Sequence, residues 1–136
     1  MSAEGVADEF RPYFDALARG ILAFPRCGDC GRFHWYPMKL CPFCHGAGIG
    51  WEAVSGVASL FSWTIVRHDF DPAAIERYGL RAPYIVALLE FADAPGVRLI
   101  SNLVEADPDA LAIGMAVQAL FPAHDGRVLF RPARVG

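Results

Sequence analysis

Cys27-Gly28-Asp29-Cys30 and Cys41-Pro42-Phe43-Cys44 stand ten residues apart and decide how the rest of the chain is read. A C-x-x-C turn carries two sulfurs on one tight loop, and a ten-residue spacer lets two such turns face each other. Four thiolates then offer a metal a closed tetrahedral shell with no open position, which is a structural arrangement and not a catalytic one. The four are the only cysteines of the chain, so none is left over. Zinc is the expected ion, with Cys27, Cys30, Cys41 and Cys44 as ligands. Iron accepts the same four thiolates. Two disulfides would require an oxidising compartment, and a thioredoxin-like motif would be a single C-x-x-C opening a helix. His45, next to Cys44, is a rival ligand that a full sulfur set makes unnecessary.

The surroundings of these turns are rich in Gly, Pro and aromatics, as expected where a metal replaces a large core. Ile21 to Phe24 and Phe33 to Tyr36 are read as short strands flanking the first turn, and Trp51 to Val54 as the way out. Upstream, Phe10, Tyr13, Phe14 and Leu17 follow the i, i+3, i+4, i+7 pattern of one helix face. Asp8 is the expected N-cap, Pro12 fits only the first turn, and Gly20 ends the helix.

Downstream the chain reads as β. Val54 to His68 is a long apolar, β-branched run. Pro83 to Phe91, Val97 to Val104, Met115 to Phe121 and Arg127 to Pro132 follow as four more strands. Asp69 to Ala82 is read as a loop with a helical turn near Ala73 to Tyr78. Ala92-Asp93-Ala94-Pro95-Gly96 and His124-Asp125-Gly126 are turns. Asp107-Pro108 starts a short helical link, with Asp107 as cap. Five strands with a helical link between the third and fourth match the layout of an OB-fold barrel. Strands this apolar imply cover on their outer faces as well, from a partner or a second element.

With 54% hydrophobic and 20% charged residues, the 136-residue chain has enough apolar material for a core and too little charge for disorder. Its net charge of −3, with eleven Arg and one Lys spread along the sequence, argues against a general nucleic-acid binder. Neither a signal peptide nor an apolar span of membrane length is present, so a reducing, cytoplasmic location is expected. Of the other residues that carry chemistry, Arg67-His68-Asp69 offers an oriented His–Asp pair at a strand end. Phe61, Trp63, Phe70, Tyr78 and Tyr84 cluster around the first two long strands. In a nucleic-acid-binding OB-fold such rings stack on bases, although core packing is the commoner use. Gly46, Gly48 and Gly50 lack the Lys-Ser/Thr of a phosphate loop.

In order, Phe14-Asp15-Ala16-Leu17-Ala18-Arg19-Gly20, the two cysteine turns, Val54-Ser55-Gly56, Phe61-Ser62-Trp63-Thr64-Ile65-Val66, Ala82-Pro83-Tyr84-Ile85-Val86-Ala87-Leu88 and Asp107-Pro108-Asp109-Ala110-Leu111 with Ile113-Gly114-Met115 closely resemble the DUF35 family. The resemblance runs from about residue 10 to the C-terminus. It implies a mostly β chain: an N-terminal helix (1–20), a rubredoxin-like zinc ribbon (21–53) and a five-stranded OB-fold barrel (54–136). It also implies a non-catalytic accessory subunit of an acyl-CoA enzyme, hetero-oligomeric with a thiolase-like, MaoC-like hydratase or aldolase subunit, with acyl-CoA as a ligand of the complex. No catalytic residue carries over. The rival readings are a single-strand nucleic-acid-binding OB module and a self-sufficient hydrolase or lyase using His68 and Asp69.

Overall fold

The computed structural model describes residues 7–69, 72–79, 81–121 and 127–133. A 3-10 turn, Asp8–Phe10, leads into helix α1, Arg11–Ala18. Asp8 is not its N-cap: the turn extends the helical path by three residues, and Asp8 instead pairs with Arg11 at 3.2 Å. Pro12 lies in the first turn, where its missing N–H costs nothing. The Gly20 N–H bonds the Leu17 carbonyl at 3.0 Å and closes the far end. Tyr13 and Leu17 are buried as the spacing predicted, joined by Ala16, while Phe10 and Phe14 are half-buried.

β1 (Ala23–Cys27) pairs antiparallel with β2 (Ile49–Ala53), from Ala23 opposite Ala53 to Cys27 opposite Ile49. The second ribbon strand is therefore the segment read as an exit. Phe33 to Tyr36 makes only one bridge, Arg26 to Phe33. Its aromatics, strand-like on paper, serve packing.

The barrel is built from β3 (Val57–Val66), β4 (Tyr84–Glu90), β5 (Arg98–Leu103), β6 (Ala116–Leu120) and β7 (Leu129–Pro132). It closes in the order β3-β4-β5-β7-β6, with β6 returning to β3. Only β5 and β7 run parallel, through the single pair Leu103–Phe130. The Ser101 hydroxyl reinforces that seam by donating to the Val128 carbonyl at 2.8 Å. Helix α2 (Pro72–Tyr78) fills the β3–β4 connection, and a 3-10 turn, Pro108–Ala110, links β5 to β6. There the Asp107 carboxylate accepts the Asp109 N–H at 2.9 Å, the cap expected from the sequence.

Leu60, Leu89, Val97, Val117 and Phe130 are fully buried inside the barrel. Phe24, from β1, is equally buried and packs edge-on against both Trp35 (5.3 Å) and Phe91 (4.9 Å). Tyr13 of α1 meets Trp35 at 4.8 Å, and Phe91 meets Phe130 at 6.1 Å. A chain of rings thus joins helix, ribbon and barrel into one hydrophobic cluster. Along β4 the buried Ile85, Ala87 and Leu89 alternate with half-buried Val86, Leu88 and Glu90. The outward positions of β4 are largely apolar and half-buried. Among the described residues no helix is long and apolar enough to cross a membrane.

Candidate metal centre

β1 ends on Cys27 and delivers it to the first turn, and the Gly28 N–H bonds the Gly48 carbonyl at 2.8 Å, tying that turn to the approach of β2. The four sulfurs of Cys27, Cys30, Cys41 and Cys44 lie within 4.8 Å of one another. Across the turns, Cys27 Sγ is 3.6 Å from Cys44 Sγ and Cys30 Sγ is 3.6 Å from Cys41 Sγ. Four sulfurs about 2.3 Å from a tetrahedral zinc are separated by nearly this distance, so the set is poised for a metal. Cys27 and Cys41 are buried, and Cys30 and Cys44 are exposed.

The two turns are near copies of each other. The Gly31 N–H bonds the Cys27 carbonyl at 2.9 Å, and the His45 N–H bonds the Cys41 carbonyl at 2.9 Å. Gly31 (φ 77°) and His45 (φ 65°) both take the left-handed conformation that closes the turn. His45 is thus the backbone counterpart of Gly31 and lies outside the four-sulfur group. Backbone N–H groups point at the sulfurs: Asp29 and Cys30 at Cys27 Sγ (3.3 and 3.5 Å), Phe43 at Cys41 Sγ (3.4 Å), and Gly46 at Cys44 Sγ (3.4 Å). Such donors stabilise thiolates in advance of metal binding. They were not legible in the sequence, nor was the role of Gly46. A Cβ on Gly46 would sit 3.2 Å from Asp29 Cγ and 3.3 Å from Cys44 Sγ, and closer still to an Asp29 carboxylate oxygen.

The four sulfurs shift one another's ionisation. Burial opposes ionisation of Cys41, yet the Cys44 and Phe43 N–H groups and the Cys30 and Cys44 thiols outweigh it and bring the thiol down to about 7. For Cys44 the Gly46 N–H favours the thiolate. The Cys27 sulfur, desolvation, and the Cys41 and Cys30 sulfurs overcome that and push it up to about 12. Sulfurs this close do not all ionise without a positive charge among them.

The other candidates scatter. His34 is buried, burial lowers the pKa of its imidazole, and neither ring nitrogen has a hydrogen-bond partner among the described residues. His68 and Asp69 are exposed, and Asp69 Oδ1 accepts the Ala82 N–H at 2.7 Å, a use in fastening the β3–β4 connection. Trp63 packs against the barrel core, and Phe61 lies under the Arg98 guanidinium at 4.1 Å. Phe70, His124 and the side chain of Tyr78 lie outside the described residues.

The family described as the ChsH2 rubredoxin-like zinc ribbon domain matches residues 14–50, and the one described as the ChsH2 C-terminal OB-fold domain matches residues 51–121. A DUF35 domain-containing scaffold protein of Methanothermobacter thermautotrophicus is 30% identical over 101 residues, covering 74% of this chain and 71% of that protein. The chain belongs to the DUF35 family. A probable enoyl-CoA hydratase alpha subunit of Thermomonospora curvata is 32% identical over 126 residues. That match takes in 89% of the DUF35 chain described here but spans only 36% of the relative's length. Among solved structures, a chain of an Ltp2-ChsH2(DUF35) aldolase superposes with a TM-score of 0.81 at 28% identity, over 96% of this chain and 98% of that one. A DUF35 protein of Sulfolobus solfataricus shares the fold, with a TM-score of 0.69 at 19% identity over 96% of this chain and 89% of that one.

Proposed function

We propose that this DUF35 protein is a non-catalytic accessory subunit of an acyl-CoA enzyme of the thiolase, enoyl-CoA hydratase or aldolase type. In this reading it helps form the complex and the acyl-CoA site of its partner. The observation that carries it is similarity across nearly the whole chain to a component of an aldolase assembly and to a hydratase subunit. Relatives named as scaffold proteins support the same role. The Thermomonospora relative holds this module inside a much longer chain, which fits a module that works beside an enzyme. The working division is 1–20 for the helix, 21–53 for the ribbon and 54–136 for the barrel.

We further propose zinc as the ion, with Cys27, Cys30, Cys41 and Cys44 as its ligands. Bound zinc would supply a structural cross-link of roughly 10–16 kcal/mol, the range for small zinc-binding peptides. The residues around it fix the sulfurs, through Gly31 and His45, and temper their charge, through the N–H groups of Asp29, Cys30, Phe43 and Gly46.

Affinity purification from the native cell, with mass spectrometry of bound proteins, tests the assignment. A stoichiometric acyl-CoA enzyme is the expected companion. Bound nucleic acid, or a lone homodimer, would overturn the assignment. Elemental analysis should find about one zinc per chain.

A further inference from the structure

The two cysteine turns copy each other's backbone but not each other's hydrogen bonds to sulfur. In the second turn the Gly46 N–H reaches Cys44 Sγ at 3.4 Å. Arg32 holds the same place after Cys30, yet among the described residues no backbone N–H is bonded to Cys30 Sγ. Cys27 Sγ accepts two N–H groups and Cys41 Sγ accepts that of Phe43, and both residues are buried. Cys44 is exposed, but besides its donor it has the Asp29 side chain leaning across to it. A Cβ on Gly46 would meet Asp29 Cγ at 3.2 Å and Cys44 Sγ at 3.3 Å. Of the four cysteines, only Cys30 combines exposure with a sulfur that accepts no N–H.

A metal-held thiolate keeps lone pairs, and N–H donors draw charge from them. The sulfur without donors is therefore the most electron-rich of the set. Thiolate character and access to solvent together decide which cysteine an electrophile attacks. A resolving sulfur is also at hand, because Cys41 Sγ lies 3.6 Å from Cys30 Sγ on the opposite turn.

We propose that Cys30 is the modification site of the metal centre: a small hydroperoxide oxidises it first, and Cys41 then closes it into a disulfide that opens the zinc shell. This rests on the zinc reading. The Cys30 thiolate attacks one peroxide oxygen, the O–O bond breaks, and hydroxide leaves a sulfenic acid on the chain. The Cys41 thiolate attacks the Cys30 sulfur, the S–O bond breaks, and a second hydroxide leaves. Two thiolates have given up two electrons, the peroxide has gained them, and zinc is left with only Cys27 and Cys44. The new S–S bond joins the two turns, so the ribbon stays linked, and a dithiol reductant regenerates both thiols for reloading.

The test treats the full, zinc-loaded chain with equimolar hydrogen peroxide and, separately, with equimolar iodoacetamide. Zinc release is read with a chromophoric chelator, and the modified cysteines by peptide mass spectrometry. Iodoacetamide should label Cys30 first, about tenfold ahead of any other cysteine. Peroxide should release about one zinc for each peroxide consumed and leave a Cys30–Cys41 disulfide. Dithiothreitol with added zinc should then restore the bound metal. Cys30→His keeps three sulfurs and an imidazole for zinc and should slow the release about tenfold or more. If that variant does not hold zinc, the labelling order in the wild-type chain decides. Label spread evenly, or found first on Cys44, overturns the proposal and leaves the zinc reading standing. Zinc release without a Cys30–Cys41 disulfide does the same. A purified chain that binds no zinc overturns both.

Discussion

Phe24 belongs to the ribbon by sequence and to the barrel core by packing, so truncating it should separate the two. The ring is fully buried and lies edge-on to Trp35 and Phe91 at 5.3 and 4.9 Å. Removing a buried Phe side chain costs about 3–5 kcal/mol through lost transfer free energy and the residual cavity. Loss of two edge-to-face pairs, each about 0.5–1.5 kcal/mol, places Phe24→Ala toward the upper part of that range. A zinc cross-link of roughly 10–16 kcal/mol would survive this, because the sulfurs are set by their own turns. The assay is urea unfolding followed both by tryptophan fluorescence and by metal release to a chromophoric chelator. With a slope of about 2 kcal/mol per molar, a loss of about 4 kcal/mol moves the midpoint down by roughly 2 M. Metal content should stay at the wild-type value, and metal release should separate from barrel unfolding. A midpoint lowered by less than about 0.5 M would refute the idea of one continuous core.

Cys41→Ser should abolish metal retention and unfold the ribbon, seen as loss of bound zinc and of amide protection in β1 and β2; a soluble, fully protected variant would contradict it. Metal affinity should fall on acidification, because Cys44, pushed up to about 12 without metal, must release its proton to bind. One released proton weakens binding about tenfold per pH unit below its pKa, measurable by competition with a chelator of known affinity at pH 8, 7 and 6. At φ 65°, His45→Gly should be neutral or stabilising, while His45→Val should cost about 1–2 kcal/mol in urea midpoint, with zinc content unchanged in both. A His45→Gly variant that loses metal would return His45 to the ligand set.

The cysteine spacing carried the metal centre, because C-x-x-C geometry is local and survives any context. The long β-branched runs carried β3, β4 and β5 for the same reason. The second ribbon strand was not legible: Ile49–Ala53 contains two Gly-flanked positions and becomes a strand only by pairing with β1, more than twenty residues away. Phe33 to Tyr36 has the composition of a strand, but Trp35 is spent on the ring cluster that joins Tyr13 and Phe24. Asp8 looked like a cap because a 3-10 turn ahead of α1 leaves no trace in hydrophobic periodicity. The left-handed role of His45 was hidden too, since a histidine beside a metal site reads first as a ligand. The apolar outer face of β4 was visible as excess apolarity, and only the register shows which residues it presents.

The most direct test of the accessory role is the turnover of an acyl-CoA substrate by the enzyme that co-purifies with this chain, measured with the chain present, removed and added back. A fall in kcat/KM of about tenfold or more on removal, restored by the wild-type chain, is the predicted result. Undiminished activity without the chain, or turnover by the chain alone that His68→Ala abolishes, would contradict it.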